Sequence, residues 1–284
     1  EYAFHQKADV KVYLLEVSNE LKKIQKSCLA QNQFYSENSC VSIHGPEIHW
    51  IRDLCEVPQS SFSIFLAHEF FDALPVHVFQ KRNSKWHEVL VDIDPKSKAL
   101  KLRYVLSPQP TVSSHLLIKE GEYRNHVEIS PLSGLMVEQL SSVIVQSGGF
   151  ALIIDYGHYG DKTDTFRSFK SHHQVDPLSD PGNCDLTTDV DFMYIQDMVN
   201  AHGDCITYGP ISQKEFLLNM GGRERVEKLC LLSESKSNEL KSNFEFLISP
   251  AHMGEVFKVM SIFPDSVQSI HNHMPPAGFF SSQK

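Results

Sequence analysis

This 284-residue sequence lacks the short motifs that identify several large classes of protein. It contains no Gly-x-Gly, no P-loop pattern and no Gly-x-Ser-x-Gly nucleophile elbow, which argues against an α/β hydrolase. None of its six cysteines forms a Cys-x-x-Cys pair, so zinc ribbons and dithiol redox centres lack their usual spacing. The histidines at 172–173 and at 271 and 273 have no acid or thiol at ligand spacing, so we expect no metal site there. No apolar run approaches the roughly 20 residues that span a bilayer.

The charge balance is acidic. The formal net charge is −9 and the sequence pI is about 5.9. Because nucleic acids and anionic membranes would repel such a surface, we expect neither as a general partner. A basic protein segment would suit it. The scattered cysteines are expected to be free thiols in a reducing compartment.

Apolar β-rich runs alternate with segments of helical periodicity. Buried strands are predicted at residues 10–17, 62–67 and 150–157, a hairpin or edge segment at 41–54, an antiparallel pair at 86–94 and 100–106, and a last strand at 256–262. Helices are predicted at 19–30 with Ser18 as cap, at 130–146, and at 187–203 with Thr187 or Thr188 as cap. Residues 157–186 are predicted to form a long loop. This alternation favours an α/β fold with a largely parallel sheet.

Polar residues follow the three predicted buried strands. Glu16 ends the first strand, His68 and Glu69 end the second, and Asp155 and Tyr156 end the third. In open α/β sheets, ligands bind outside the carboxyl ends of the strands. We therefore expect Glu16, Glu69 and Asp155 to lie on one rim of the sheet, beside a ligand crevice.

Each of these acids could also have a purely structural role in place of a functional one. Glu16 either accepts hydrogen bonds from ribose hydroxyls or only favours the dipole of the following helix. Glu69 and Asp72 either grip a cation such as a guanidinium or cap a helix. Asp155 and Tyr156 either belong to a site or serve the turn that follows them. Three later aspartates either line a site or cap a helix: Asp185, Asp189 and Asp191.

Four blocks of sequence resemble one known family. They are AHEFFDALPVHVFQK, ALIIDYGHYGDKTDTFRSF, PGNCDLTTDVDF and FLLNMGGRERVEKL. In this order they are similar to the MidA-type S-adenosylmethionine-dependent methyltransferases, above all to animal mitochondrial protein-arginine methyltransferases that assist assembly of respiratory complex I. The resemblance runs from about residue 10 to about residue 265. It implies a class I methyltransferase fold, a Rossmann-like seven-stranded sheet with a substrate-side insertion.

The resemblance also implies roles for single residues. Residues implied to contact S-adenosylmethionine are Glu16, Trp50, Asp53, Asp155 and Tyr156. Residues implied to hold and orient a substrate arginine are Glu69 and Asp72, with His68 beside them, where bacterial members usually have Asn. The family's glycine-rich first motif and strand one do not occur in this sequence, which begins with Glu1 and soon enters a strand. We therefore interpret the sequence as a chain whose first part is missing, and expect it to bind the cofactor weakly or not at all.

This interpretation divides the chain into four segments. They are a partial methyltransferase core with strands two to four at 1–78, a β-rich insertion at 79–130, a core helix and strand at 131–160, and a substrate loop with the C-terminal region at 161–284. One hypothesis is an arginine methyltransferase of the mitochondrial matrix that acts on a basic protein, a complex I subunit. The alternative is a non-catalytic assembly factor that holds a basic segment of a partner.

Overall fold

A computed structural model describes residues 10–59, 61–97 and 101–280. The chain divides into two compact units, Glu1–Ser61 and Phe62–Lys284, and each is described by itself. Within the described ranges, no helix combines the length and the apolar composition that crossing a bilayer requires.

The described residues of the first unit form a four-stranded sheet and one α-helix. Its elements are β1 (Lys11–Leu15), α1 (Asn19–Leu29), β2 (Ala30–Ser36), β3 (Ser39–Ser42) and β4 (Glu47–Ile51). The strand order is β1-β4-β3-β2, with β1 and β4 parallel and the other neighbours antiparallel. The hairpin predicted within residues 41–54 is confirmed as β3 and β4.

Local signals account for the helix of this unit. The Ser18 hydroxyl oxygen accepts a hydrogen bond from the Leu21 N–H, which confirms the predicted cap. The expectation that strand 10–17 is covered on both faces is wrong, because no residue of β1 is fully buried. The buried cluster is formed by β3 and β4, through Cys40, Ile48 and Trp50.

The described residues of the second unit form three sheets. The strands are β5 (Ser63–His68), β6 (His77–Arg82), β7 (Lys85–Ile93), β8 (Leu102–Leu106), β9 (His126–Ile129), β10 (Gly149–His158), β11 (Arg167–Lys170), β12 (His173–Val175), β13 (Asp185–Thr187), β14 (Val190–Asp191), β15 (Cys205–Ser212) and β16 (Phe257–Pro264). The helices are α2 (Val112–Leu117), α3 (Pro131–Ser147), α4 (Phe192–His202), α5 (Gln213–Asn219), α6 (Gly222–Leu232), α7 (Ser237–Ile248), α8 (Met253–Val256) and α9 (Gln268–His271).

Strand β10 is the centre of the largest sheet. It pairs in parallel with β5 and β14 and antiparallel with β16, which pairs antiparallel with β15. The sheet is therefore mixed, and the prediction of a largely parallel sheet is wrong. An apolar run indicates that a strand is buried but not in which direction it runs, so the sequence could not reveal the antiparallel return of β16.

The two strands that carry the candidate site differ in burial. Along β10, Ala151, Ile153 and Asp155 are almost completely buried, as the sequence predicts. Along β5, Ile64 and Leu66 are 66% and 67% exposed, so the prediction of a buried strand is wrong for this face. Its existence as a strand is confirmed.

Two predicted helices are confirmed, one with a different start. Helix α3 begins after Ser130, whose hydroxyl accepts from the Ser133 N–H, and ends at Gly148 in a positive-φ conformation of 72°. Helix α4 begins after Asp191, which accepts from two backbone N–H groups of the first turn. Thr187 and Thr188 are not its caps, because residues 185–191 contain β13 and β14 instead.

The other two sheets of the second unit are separate from the main sheet. The order β8-β7-β6-β9 forms an antiparallel sheet, in which β7 and β8 are the predicted antiparallel pair. The order β12-β11-β13 forms a small sheet within the predicted loop 157–186, so that segment is not irregular throughout. The division of the chain into the four segments 1–78, 79–130, 131–160 and 161–284 stays a prediction.

Candidate active site

The carboxyl ends of β5 and β10 lie at one edge of the main sheet. The two strands are parallel, with His68 in register with Ile154. The Glu69 N–H donates to the Ile154 carbonyl at 3.0 Å, which extends the pairing by one residue. The prediction that Glu69 and Asp155 share one rim is therefore confirmed. For Glu16, which belongs to the first unit, it stays a prediction.

Asp155 anchors the loop that follows β5. Its side chain is completely buried. Asp155 Oδ2 accepts hydrogen bonds from the backbone N–H groups of Phe70, Phe71 and Asp72 at 3.1, 3.0 and 3.3 Å. Its Oδ1 accepts from the Tyr156 N–H at 2.9 Å. These contacts favour a positioning role over the predicted cofactor contact, because the cofactor would find no exposed oxygen on Asp155.

Burial also changes the acidity of Asp155. Desolvation, and secondarily the charge of Asp72, raises the pKa of Asp155 to about 8. The backbone N–H donors oppose this shift because they favour the charged carboxylate. Asp155 therefore retains its proton up to the neutral range.

The anchored loop presents Glu69 in an unusual backbone conformation. Its φ is 49°, in the left-handed region, which costs a residue with a side chain about 1–2 kcal/mol. Such strain persists where the surrounding structure enforces it, here through the three N–H bonds to Asp155. The side chains of Glu69 and His68 are 48% and 52% exposed, and His68 Nε2 lies 4.0 Å from Glu69 Oε1. Both side chains are accessible to a substrate.

Asp72 faces the interior of the same loop. Its Oδ2 accepts from the Thr187 hydroxyl at 2.8 Å, and its backbone carbonyl accepts from the Thr188 N–H at 3.0 Å. Its Oδ1 is buried and has no hydrogen-bond partner among the described residues. An unpaired buried carboxylate oxygen is costly, so this atom is a place where a ligand donor would be stabilised.

Tyr156 forms the aromatic side of the site. Its ring centroid lies 4.1 Å from that of Phe257, and the Arg167 guanidinium lies 5.7 Å from the centroid of its ring. Burial, followed by the charge of Glu69, raises the pKa of the Tyr156 hydroxyl. Tyr156 is therefore within electrostatic reach of the carboxylate that the sequence predicted to be catalytic.

The sequence analysis missed the ion pairs around Asp189. Arg167 Nη1 and Lys162 Nζ lie 2.6 and 2.7 Å from the Asp189 carboxylate, whose side chain is 6% exposed. Burial alone would raise the pKa of Asp189, but its bonds to Lys162 and Arg167 outweigh burial and lower it. Asp189 thus fixes the arginine that covers Tyr156, and lies in neither a cap nor an open site.

A second missed cluster surrounds Arg124. Glu122 binds the guanidinium with both oxygens, at 2.9 Å to Nε and 2.7 Å to Nη2, and Asp191 lies 3.3 Å from Nη1. All three side chains are largely buried, beside a cavity of about 230 Å³. No local pattern marks the partnership of Arg124 and Asp191, which lie 67 residues apart.

In the first unit, Glu16 belongs to a short polar chain. Its Oε1 accepts from the Ser18 N–H at 2.8 Å and its Oε2 from Gln25 Nε2 at 3.1 Å, while Gln25 Oε1 accepts from Trp50 Nε1 at 2.9 Å. Glu16 is half-buried, and each of its oxygens retains a lone pair that could accept from a ribose hydroxyl. The free acceptor capacity of Glu16 therefore fits the hydroxyl groups of the predicted cofactor.

The other two residues predicted to contact the cofactor have structural partners. Trp50 is 2% exposed and belongs to the buried cluster of the first unit, which favours a packing role over the predicted cofactor contact. Asp53 is exposed, and its Oδ1 accepts from the Cys55 N–H at 2.9 Å, capping the 3-10 turn Leu54–Glu56. Their contacts with a cofactor stay predictions.

Three curated proteins resemble this chain over most of its length. The mitochondrial protein arginine methyltransferase NDUFAF7 of Danio rerio is 45% identical over 261 residues, which cover 89% of the chain and 61% of that protein. The Homo sapiens protein of the same name is 43% identical, covering 90% and 59%, and the Drosophila melanogaster homolog is 41% identical, covering 97% and 66%. The chain thus spans about three fifths of the length of the first relatives.

Solved structures confirm the predicted fold. A protein from Burkholderia thailandensis bound to S-adenosyl-homocysteine superposes with a TM-score of 0.71 at 21% identity, covering 99% of this chain and 67% of that one. A native crystal structure from the same organism gives 0.64 at 23% identity, covering 83% and 60%. At these identities the likeness concerns the fold alone.

A family profile decides the classification. Residues 2–211 match the family described as "Putative S-adenosyl-L-methionine-dependent methyltransferase". The match covers more than half of the chain, and the resemblance seen in the four sequence blocks is confirmed. The chain belongs to this family of S-adenosyl-L-methionine-dependent methyltransferases.

Proposed function

We propose that this chain carries the acceptor side of an S-adenosylmethionine-dependent protein-arginine methyltransferase. Family membership supports methyl transfer, and the names of its relatives support a protein arginine as acceptor. Those relatives are named mitochondrial, which supports action in mitochondria, and we place it in the matrix. A basic segment of a complex I subunit is the proposed substrate, and the net charge of −9 suits such a partner.

The observation that carries this proposal is the geometry of Glu69. It is an accessible carboxylate on a strained loop that Asp155 pins in place, at the carboxyl end of two parallel strands. Asp72 Oδ1, on the same loop, lacks a hydrogen-bond partner among the described residues. Two carboxylates at this position match the planar fork of donors on a guanidinium.

The proposed roles follow from this arrangement. When bound, S-adenosylmethionine supplies the methyl group, and Glu16 accepts hydrogen bonds from its ribose. Glu69 holds the guanidinium in one orientation and accepts the proton that one of its nitrogens loses. Asp72 Oδ1 accepts a second N–H, and the rings of Tyr156 and Phe257 exclude water from one side. Asp155 contributes indirectly, by holding Glu69 and Asp72.

A transfer assay tests the proposal. The chain, alone and fused to the part of the Danio rerio relative that it does not cover, is incubated with isotope-labelled S-adenosylmethionine and arginine-containing peptides. We expect label on arginine, at a rate reduced at least about tenfold in Glu69→Gln but unchanged in Glu120→Gln, a matched change at an exposed glutamate. Equal activity in both variants would remove Glu69 from the mechanism.

The same material separates the non-catalytic alternative. Calorimetry with an arginine-rich peptide measures acceptor binding, and titration with S-adenosylmethionine measures cofactor binding. Peptide binding without cofactor binding in the fused protein would support an assembly factor that holds a basic segment, and would overturn the enzyme.

A further inference from the structure

Strand β9 and the segment after β10 bring three metal-ligating side chains together. His126 and Glu128 are two residues apart on β9, so both side chains project from the same face of the strand. Asp164 reaches them from the segment that follows β10. His126 Nε2 lies 3.6 Å from Glu128 Oε1 and 3.9 Å from Asp164 Oδ1, and the three ligand atoms all lie within 4.8 Å of one another.

These separations are too long for hydrogen bonds and suited to an ion between the three atoms. His126 Nε2 is buried and has no hydrogen-bond partner among the described residues. The Glu128 side chain is only 7% exposed. His126 Nε2 thus faces two carboxylates at ion-pair distance but forms no hydrogen bond with either, and a cation between the three atoms would replace the water that this nitrogen has lost. We propose that His126, Glu128 and Asp164 bind a divalent transition metal ion, with Zn²⁺ as the expected ion.

The donor set and spacing fit zinc. One imidazole and two carboxylates are ligands that Zn²⁺ accepts, with water in the fourth position. At bond lengths of about 2.0–2.1 Å, tetrahedral ligand atoms lie about 3.3 Å apart. The two separations from His126 Nε2, 3.6 and 3.9 Å, are somewhat longer than this, and all three ligand atoms lie within 4.8 Å of one another, so the site must contract on binding the ion, mainly at Asp164. The Asp164 side chain is 82% exposed, so it can move toward the other two ligands, which are less exposed.

Hydrogen bonds behind the ligands already orient the site. Glu128 accepts from the N–H groups of Thr165 and Phe166, each at 2.9 Å to Oε1, and from the Thr165 hydroxyl. These bonds hold the residue after Asp164 against β9, and Asp164 itself has a left-handed φ of 55°. Such outer contacts to a ligating carboxylate are typical of metal sites. Metal binding would draw Glu128 Oε1 away from one of its two N–H donors. The Thr165 N–H can then donate to Glu128 Oε2 instead, because the distance between these two atoms is already 3.1 Å.

The ion would fasten the segment that supports the candidate active site. The Thr165 hydroxyl, which donates to Glu128, also accepts from the Asp189 N–H at 2.9 Å. Asp189 in turn holds Arg167 over Tyr156. The metal site therefore has a structural role, and it stands independently of the proposed transfer reaction.

Zn²⁺ titration of the tag-free, chelator-treated chain by calorimetry tests the proposal. We expect one equivalent to bind, with affinity reduced more than about tenfold in His126→Gln and in Asp164→Asn. His172→Gln, at an exposed histidine, is the matched control and should bind as the original chain does. Circular dichroism confirms that each variant is folded, and Co²⁺ absorption spectra report whether a nitrogen-containing tetrahedral site forms.

Two results would overturn the site. One is equal Zn²⁺ affinity in the original chain and in both ligand variants, which would show binding at other histidines. The other is no Zn²⁺ binding at all, which would leave His126 and Glu128 as an ion pair only. Hydrogen exchange at residues 159–167 should slow with Zn²⁺ in the original chain and not in Asp164→Asn; an unchanged rate would overturn the fastening role.

Discussion

Glu16 in the first unit and Asp155 in the second occupy similar places in the sequence, since each follows an apolar β-rich run. Their surroundings differ. Glu16 is half-buried and accepts from one backbone N–H and one amide, whereas Asp155 is completely buried and accepts from four backbone N–H groups. The position at a strand end therefore does not tell whether an acid can bind a ligand or stabilises the fold. Its burial, and the number of N–H groups that donate to it, distinguish the two roles.

The two hydrogen-bond networks, one around Glu16 and one around Asp155 and Asp72, also differ in the sequence separation of the residues that they connect. In the first unit, the bonds from Glu16 to Gln25 and from Gln25 to Trp50 span 9 and 25 residues. In the second, Asp155 contacts residues 83 to 85 positions away, and Asp72 contacts Thr187 over 115 positions. Loss of a contact in the second network should therefore disturb more of the molecule.

Asp155→Ala should give the largest effect. It leaves four partly or fully buried backbone N–H groups without their acceptor, and each such group costs up to about 1–3 kcal/mol before the loop relaxes. We expect a loss of about 3–5 kcal/mol in the free energy of unfolding, measured by urea denaturation. Asp161→Ala, whose side chain is 65% exposed, should change stability far less. Similar losses in the two variants would mean that Asp155 is no anchor.

Asp155 should also make stability depend on pH. Its pKa is raised from 3.8 to about 8, so the folded state binds the proton more tightly than the unfolded state. This stabilisation is full below about pH 4 and is lost as pH rises through about 8, with a slope of at most about 1.4 kcal/mol per pH unit. Asp155→Asn should remove that slope. Urea unfolding from pH 5 to 9 measures it, and parallel profiles for both proteins would contradict the raised pKa.

Glu69→Gln should lower methyl transfer without changing the fold. Gln keeps the size but loses the charge, and a hydrogen bond to a charged group contributes about 1.5–3 kcal/mol, which corresponds to about 10- to 150-fold in rate. Cofactor affinity should remain nearly unchanged. Asp72→Asn should be intermediate, because Asp72 also bonds Thr187. Rate and affinity are measured side by side in the fused protein; a fall in affinity alone would place Glu69 with the cofactor.

Glu16→Gln should show the reverse. Because Glu16 is proposed to bind the ribose, we expect cofactor affinity to fall by about tenfold, with the rate at saturating cofactor little changed. Glu20→Gln, at an exposed neighbour on α1, is the control. Unchanged affinity would assign Glu16 to its contacts with Ser18 and Gln25 alone.

Trp50→Phe should have the smallest effect of the set. It removes the bond from Nε1 to Gln25 and part of a buried ring, for about 1–2 kcal/mol of unfolding free energy. The chain has two tryptophans, so fluorescence of this variant reports Trp86 alone. Loss of cofactor binding without loss of stability would instead support the predicted contact between Trp50 and the cofactor.

Much of the local structure was predictable. The Ser18 cap, the start and end of α3, and the β10 strand follow from capping residues and apolar periodicity, which act over a few neighbouring positions. The start of α4 was predicted too early, because Thr187 and Thr188 have the chemistry of caps but Thr187 belongs to β13. Pairing with β11 overrides that local preference.

The sequence by itself determined the family, the strands β5 and β10, and the position of the acids Glu69 and Asp72 after β5, because motif blocks and apolar runs are local properties of the chain. Only the tertiary structure decided that Asp155 is an anchor, that Trp50 lies in a core and that Arg124 has two carboxylate partners. Those roles depend on which distant backbone donors and charges are brought within about 3 Å in a water-free interior, and no spacing along the chain encodes that.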